Sequence, residues 1–354
     1  MTKPKMRNSN IELLRILLIM MVIGLHYNTI SMGNAFEYTQ LAGINISLTH
    51  LIESFMIMSV DTFLIITGYF LSTQKSIKVN KIIEMIILLL VLKIVIYFID
   101  LIAYGAHFDI KIVIQELVSG NWYITKYIIL YIFSPYINNM LNSLNKKEYK
   151  RLIILIVCIF MILPLILNAI ADFFDVNGWA PVTESVADHG YTIVTFFVMY
   201  IVGAYIRKEK IELELKYSFL GYLGCAIAIF LIYYIPTKLG LETLASTCFR
   251  YNNVFVALEG VFLFLFFNKL NIPNNKIINT IATATLSIFI VSTSTPFIKL
   301  YNVLQVSKYS ITNYLIPHFI VTCIVIYILS LIVGLSTLTI LKITVYKKLK
   351  KHFN

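Results

Sequence analysis

The sequence predicts an all-α integral membrane protein, a single polytopic bundle of about ten transmembrane helices with both termini in the cytoplasm. Three observations carry that prediction. Of 354 residues, 59% are hydrophobic and only 13% charged, whereas a soluble domain carries about a quarter charged residues. The apolar residues fall into runs of roughly 20, the length a helix needs to cross a bilayer. Lys and Arg gather between alternate runs: only Lys111, Lys238, Arg250, Lys299 and Lys308 fall in the segments placed outside, Arg15, Lys93 and Lys126 lie within runs, and the rest of the 29 sit in inner loops and tails. The formal charge of +11 therefore reads as cytoplasmic loops, with no nucleic acid partner.

The predicted spans lie near 10–31, 47–73, 80–103, 122–143, 152–171, 191–206, 217–235, 252–268, 277–299 and 313–341. No long polar stretch separates them, so residues 1–354 read as one integral domain. This composition excludes a soluble enzyme, a disulfide-rich scaffold and a disordered tail. Cys158, Cys225, Cys248 and Cys323 are far apart, without CxxC or zinc spacing. The first apolar run continues to Met32 without a small-residue cleavage site, so it reads as a retained helix rather than a signal peptide.

Charges inside spans are expensive and often mark function. The first span holds Ile11-Glu12-Leu13-Leu14-Arg15 and, after ten more residues, His26-Tyr27. Eleven residues advance about 16 Å and complete about three turns, so Arg15 and His26 share a face with Arg15 at the cytoplasmic end. Glu12 is an i,i+3 neighbour of Arg15. Two readings stand side by side: Arg15 holds an anion while His26 takes a proton or an acyl group, or Arg15 snorkels to headgroups while His26 serves a helix contact.

The second span carries Val60-Asp61-Thr62-Phe63 and Thr67-Gly68-Tyr69-Phe70-Leu71, followed by Lys75, Lys78 and Lys81 at three-residue steps. Buried Asp61 calls for a cation or several donors, and Gly68 permits close helix approach. The third span places Lys93 and Asp100 two turns apart on one face. The fourth opens with Trp122-Tyr123 and contains Pro135. The stretch Asp172 to Tyr191 is the longest outer loop, rich in acids and read as solvated. The eighth span has Glu259 at its centre, a candidate to orient His26 or bind an acceptor; the alternative is a structural partner for a lysine or tyrosine. His50 with Glu53, and His318, read as structural.

Together these pieces resemble the acyltransferase 3 family. Its first helix is similar to Ile11-Glu12-Leu13-Leu14-Arg15 followed by His26, its second to Val60-Asp61-Thr62-Phe63 with Thr67-Gly68-Tyr69-Phe70-Leu71, and a later one to Trp122-Tyr123 leading to Pro135. The specific motifs lie in the first 140 residues or so. The resemblance implies an enzyme that takes an acyl group, most often acetyl, from cytoplasmic acyl-CoA to a sugar hydroxyl of a cell-surface or lipid-linked glycan. It implies His26 and Arg15 as functional residues; Glu259, read from its charge in the middle of a span, is a third catalytic candidate. Arg15, Lys78 and Lys81 would receive the CoA phosphates, and Glu12, Asp61, Tyr69 and Trp122 would support them. Two features depart from the family pattern: Lys78-x-x-Lys81 replaces a pair of arginines, and Phe289-Ile290-Val291-Ser292 lacks the Tyr and His common there.

No metal is expected and no permanently bound cofactor, acetyl-CoA being a substrate. The partners expected are acyl-CoA, the glycan acceptor and membrane lipids. The Ile, Lys and Asn content points to a bacterial plasma membrane. The competing classes are a polysaccharide exporter or flippase and a non-catalytic subunit of a glycan assembly complex; a His26→Ala change separates both from an enzyme.

Overall fold

The computed structural model describes residues 8–105, 107–175, 190–347 and 349. Among these residues all regular structure is helical. The first helices are α1 (Ser9–Asn28), α2 (Ala35–Ala42), α3 (Ile46–Ser54), α4 (Ser59–Leu71), α5 (Val79–Tyr104) and α6 (Ile110–Val118). They are followed by α7 (Trp122–Ser143), α8 (Lys146–Val157), α9 (Leu163–Phe174), α10 (Ile193–Lys208), α11 (Leu215–Leu239) and α12 (Glu242–Ala245). The last are α13 (Val254–Lys269), α14 (Lys276–Ala282), α15 (Thr285–Ser292), α16 (Thr295–Val303), α17 (Val306–Tyr309) and α18 (Leu315–Leu341). A π-helical turn, Cys158–Ile162, joins α8 to α9, and a second, Lys342–Tyr346, follows α18.

Six stretches among the described residues are long and apolar enough to cross a membrane: Ser9–Asn28, Ile46–Leu71, Val79–Tyr104, Lys146–Phe174, Leu215–Leu239 and Leu315–Tyr346. The other four predicted spans take different forms. Residues 122–143 form one helix, α7, with Lys126 and Asn138 along it. Residues 191–206 and 252–268 give α10 and α13, each of 16 residues, or about 24 Å of rise. The run 277–299 is broken into α14, α15 and α16. At its breaks, Thr283 Oγ1 donates to the Thr280 carbonyl (2.7 Å), Thr293 Oγ1 to Phe289 (2.8 Å) and Ser294 Oγ to Val291 (2.6 Å). Such hydroxyls compete with the helix ladder, and Pro296 then starts α16.

The helices group into two compact units. The first comprises the described residues of Met1–Thr49, Lys78–Ile124 and Ile272–Asn354. In it, α5 turns Leu88, Leu92 and Ile96 inward and exposes Ile86, Leu90, Ile94, Phe98 and Ile102 at four-residue steps. Helix α18 exposes Ile316, Ile320, Ile324, Ile328 and Ile332 in the same way, while burying Thr322, Ser330 and Gly334. Apolar outside and small or polar inside is the pattern of a lipid-facing helix. Lys299 of α16 donates to both carboxylate oxygens of Asp100 on α5 (2.8 and 3.0 Å). Lys93 donates to the Glu116 and Ser119 carbonyls at the end of α6, where a cation complements the helix dipole. Lys93 and Asp100 thus serve separate partners, each on another helix.

The second unit comprises His50–Ile77 and the described residues of Thr125–Asn271. Its centre is α4 against α10. A Cβ on Gly68 would collide with the Tyr200 carbonyl, and one on Gly203 with the Ile65 carbonyl, so the two backbones nearly touch. Asn138 of α7 donates to the Leu71 and Gln74 carbonyls (2.8 and 2.9 Å) and accepts from Tyr200 Oη (2.8 Å), which fixes the end of α4. Lys208 donates to the Leu141 and Leu144 carbonyls at the end of α7 (2.7 and 2.9 Å).

Candidate functional site

Within the first unit, α1 carries Glu12, Arg15 and His26. Its start is tied down by Ser9, whose hydroxyl donates to Asn279 Oδ1 (3.0 Å) and accepts from the Asn275 amide (2.8 Å). Arg15 Nη1 lies 3.7 Å from Glu12 Oε2, with the Arg15 side chain one-third exposed (33%) and Glu12 buried. The carboxylate therefore orients the guanidinium without closing it off. Lys78 and Lys81, both exposed, cap and begin α5 in the same unit. Trp122 opens α7, 37% exposed and edge-on to Tyr123 at 5.8 Å.

Two histidines of this unit differ in a way that decides their chemistry. His318 Nε2 meets the Leu304 carbonyl at 2.7 Å, which obliges that nitrogen to donate. Its Nδ1 then accepts from Tyr27 Oη at 2.9 Å, and its ring stacks on Tyr309 at 4.6 Å. His318 is fully engaged in packing. His26, the residue before Tyr27 on α1, encloses its Nδ1 with no hydrogen-bond partner. An imidazole in that condition keeps a nitrogen for chemistry.

Within the second unit, Asp61 on α4 and Glu259 on α13 are both 0% exposed, and none of their four carboxyl oxygens has a hydrogen-bond partner. The helices meet where a Cβ on Gly260 would come 2.8 Å from Thr62 Oγ1, so each acid stands one residue from the crossing. The two lie within electrostatic reach of each other, and Tyr222 and Cys225 of α11 lie within reach of Glu259. Burying two acids without donors is costly. Such oxygens suit the hydroxyls of a ligand. Tyr69 is engaged elsewhere, since the Arg207 guanidinium sits 5.3 Å over its ring and donates to its carbonyl (3.0 Å).

Sequence reasoning missed the Thr62–Gly260 crossing, although a glycine beside a mid-helix glutamate signals a close approach. It also missed Arg207, which reads simply as one more charge in an inner loop. In the 172–191 loop, Asp172 accepts from the Thr243 and Leu244 amides (3.2 and 2.5 Å), capping α12; Glu184, Asp188 and Trp179 lie outside the described residues. Between α12 and α13, burial pushes the Cys248 thiol up to about 12, which leaves it inert as a nucleophile. Among the described residues no group of three His, Cys, Asp or Glu is placed to hold a metal ion.

The family model described as an acyltransferase domain, Acyl_transf_3, matches residues 8–335. No curated protein and no solved structure matches the chain.

Proposed function

Because the chain belongs to the acyltransferase 3 family, its match running over residues 8–335, we propose that this membrane acyltransferase moves an acetyl group from cytoplasmic acetyl-CoA to a sugar hydroxyl of a cell-surface or lipid-linked polysaccharide in a bacterial plasma membrane. The observation that carries the reading is α1 itself. A half-open guanidinium at one end and a histidine with an unengaged, enclosed Nδ1 about 16 Å further along make a helix that addresses both sides of a bilayer.

In this reading the six long stretches are joined by α7, α10, α13 and the broken α14–α16 run to make ten crossings, with both termini inside. The CoA phosphates are received by Arg15, Lys78 and Lys81. Lysine neutralises phosphate without the fork of arginine, so Arg15 supplies the directional contact. His26 takes the proton of the acceptor hydroxyl as that oxygen attacks the thioester carbonyl. The C–S bond breaks, CoA leaves as thiolate, and the imidazolium returns the proton to it. An acyl-histidine intermediate uses the same ring in two steps. Glu12 positions Arg15, Trp122 braces the start of α7 and Tyr69 the end of α4, and Asp61 with Glu259 offer hydrogen-bond acceptors to hydroxyls within the second unit.

The experiment is the ester-linked acetyl content of surface polysaccharide, read by NMR in cells lacking this protein and complemented with wild type or His26→Ala. Wild type restores the acetyl signal, and His26→Ala at equal membrane level does not. A change in the amount of exported glycan with its acetylation unaltered would replace the transferase by an exporter.

A further inference from the structure

Asp61 and Glu259 carry a requirement that their neighbours do not meet. Both are fully enclosed in the second unit, and all four of their carboxyl oxygens lack a hydrogen-bond partner. The hydroxyls around them are committed to backbone. Thr62 Oγ1 donates to the Met58 carbonyl (2.9 Å), Ser59 Oγ to Met56, and Tyr222 Oη to Phe55 (2.8 Å). Cys225, within reach of Glu259, offers only a weak S–H donor. Among the described residues no lysine or arginine stands within electrostatic reach of either acid, and α10, packed on α4 through Gly203, brings none.

Two carboxylates in that setting do not both keep their charge. Burying one ionised carboxylate without a counter-charge is prohibitive, and a second beside it adds repulsion. A divalent metal would relieve this only with several further ligands, since such ions gather about six oxygens. Among the described residues no group of three His, Cys, Asp or Glu is placed to hold one. A proton needs only one oxygen from each acid.

A line of hydroxyls also leads away from the pair. Tyr251, buried in the segment before α13, lies within electrostatic reach of Asp61 and of Glu53 on α3, and is hydrogen-bonded to exposed Tyr191. The two phenol rings meet edge-on at 5.0 Å. Gly190 permits this approach: its φ is +85°, and a Cβ there would come 2.5 Å from the Asn252 amide nitrogen and 2.6 Å from Tyr251 Cβ. A phenol both donates and accepts, so it passes a proton on.

We infer that Asp61 and Glu259 form a proton-binding site that stays occupied at neutral pH, a carboxyl of one donating to the other, and that Tyr251 and Tyr191 connect it to the surface. The proton comes from water and returns to it, so nothing else is consumed. The bond joins α4 to α13 beside the Thr62–Gly260 crossing, and the oxygens outside it remain acceptors. The site is read in the resting protein without donor or acceptor, so its failure and the failure of acyl transfer are separate results.

The test uses the full chain in liposomes and reads the infrared stretch of protonated carboxyl groups, which carboxylates lack. At neutral pH wild type shows this band. Heavy-carbon labelling of aspartate side chains shifts part of it, and Asp61 is the only buried aspartate among the described residues; labelling of glutamate shifts it too. The double variant Asp61→Asn/Glu259→Gln loses the part that responds to both labels. Transfer to heavy water shifts the band in wild type, and Tyr251→Phe slows that shift without removing the band. No protonated band responding to the aspartate label, or an unchanged band in a double variant that unfolds as cooperatively as wild type, would overturn the inference. So would an unfolding temperature that rises with sodium at constant ionic strength in wild type and not in the double variant, which would make the pair a sodium site. Exchange as fast in Tyr251→Phe as in wild type would overturn the tyrosine connection.

Discussion

Gly68→Ala is the sharpest probe of how α4 is held. A Cβ there would land on the Tyr200 carbonyl oxygen and lie 2.8 Å from its carbon and 2.9 Å from Cα of the same residue. Carbon atoms rest at about 3.5–4.0 Å, so α4 and α10 must part by about 1 Å. Overpacking by one methyl costs about 1–3 kcal/mol. The displacement also draws Tyr200 Oη from Asn138 Oδ1, now 2.8 Å away, a contact worth about 1 kcal/mol. The expected loss is about 2–4 kcal/mol, or about 3–5 °C in unfolding temperature for a chain of this size. The buried thiols of Cys225 and Cys248 report it: in detergent they react with a fluorogenic maleimide only as the second unit opens. Gly224→Ala is the control, since nothing lies within 4 Å of a Cβ there and alanine is the better helix former by about 0.5–1 kcal/mol. If Gly68→Ala unfolds within about 1 °C of wild type, the close backbone approach is wrong, and with it the placement of Asp61 on α4.

The Lys299–Asp100 pair should give a coupling of about 1 kcal/mol in a double-mutant cycle of Lys299→Met and Asp100→Asn, modest because the Lys299 side chain is 41% exposed. Asp172→Ala removes the cap of α12, should cost about 1 kcal/mol, and should speed hydrogen exchange at Thr243 and Leu244 before any other part of the second unit. The Lys269 ammonium beside Glu212 holds its carboxyl below the usual carboxylate range. The stability this adds is present above the unfolded value, about 4.3, and is lost as pH falls through the lower folded one. Glu212→Gln should therefore lower stability slightly at neutral pH, leave it unchanged below the folded value, and flatten the acid limb of the unfolding profile over that interval.

How far the fold could be read in advance varied with the chemistry of each run. Helices α5 and α18 were legible because their apolar residues are uninterrupted and lipid tolerates them on every side. The run 277–299 looked equally continuous, yet it breaks twice. Thr283, Thr293 and Ser294 are only mildly polar, so a hydropathy ruler passes over them, while their hydroxyls take up backbone carbonyls at the breaks. The same happens between α3 and α4, where Ser54 Oγ donates to the Leu51 carbonyl (2.7 Å) and Ser59 Oγ to Met56. Asp100 illustrates another limit. On its own helix Lys93 was the visible cation, but the partner it meets, Lys299, lies 199 positions away.

The candidate site divides along similar lines. The Glu12–Arg15 contact and the shared face of Arg15 and His26 follow from helical spacing alone, and the structure places the first of these at 3.7 Å. That His318 is engaged at both ring nitrogens while His26 keeps Nδ1 enclosed and unpartnered depends on residues from three separate segments, which no local pattern contains. The meeting of Asp61 with Glu259 required the crossing at Gly260, a contact between parts of the chain nearly 200 residues apart. Motif spacing identified the acids. Only packing showed that they are buried without donors.

The central claim is that His26 carries acyl transfer. Purified full-length protein, reconstituted in liposomes with radiolabelled acetyl-CoA on one side and an oligosaccharide acceptor on the other, tests it most directly. Wild type should label the oligosaccharide through an ester, and His26→Ala should lower the rate by at least about a hundredfold with the unfolding temperature of Cys225 and Cys248 exposure unchanged. Ester formation at the wild-type rate in His26→Ala would contradict the account.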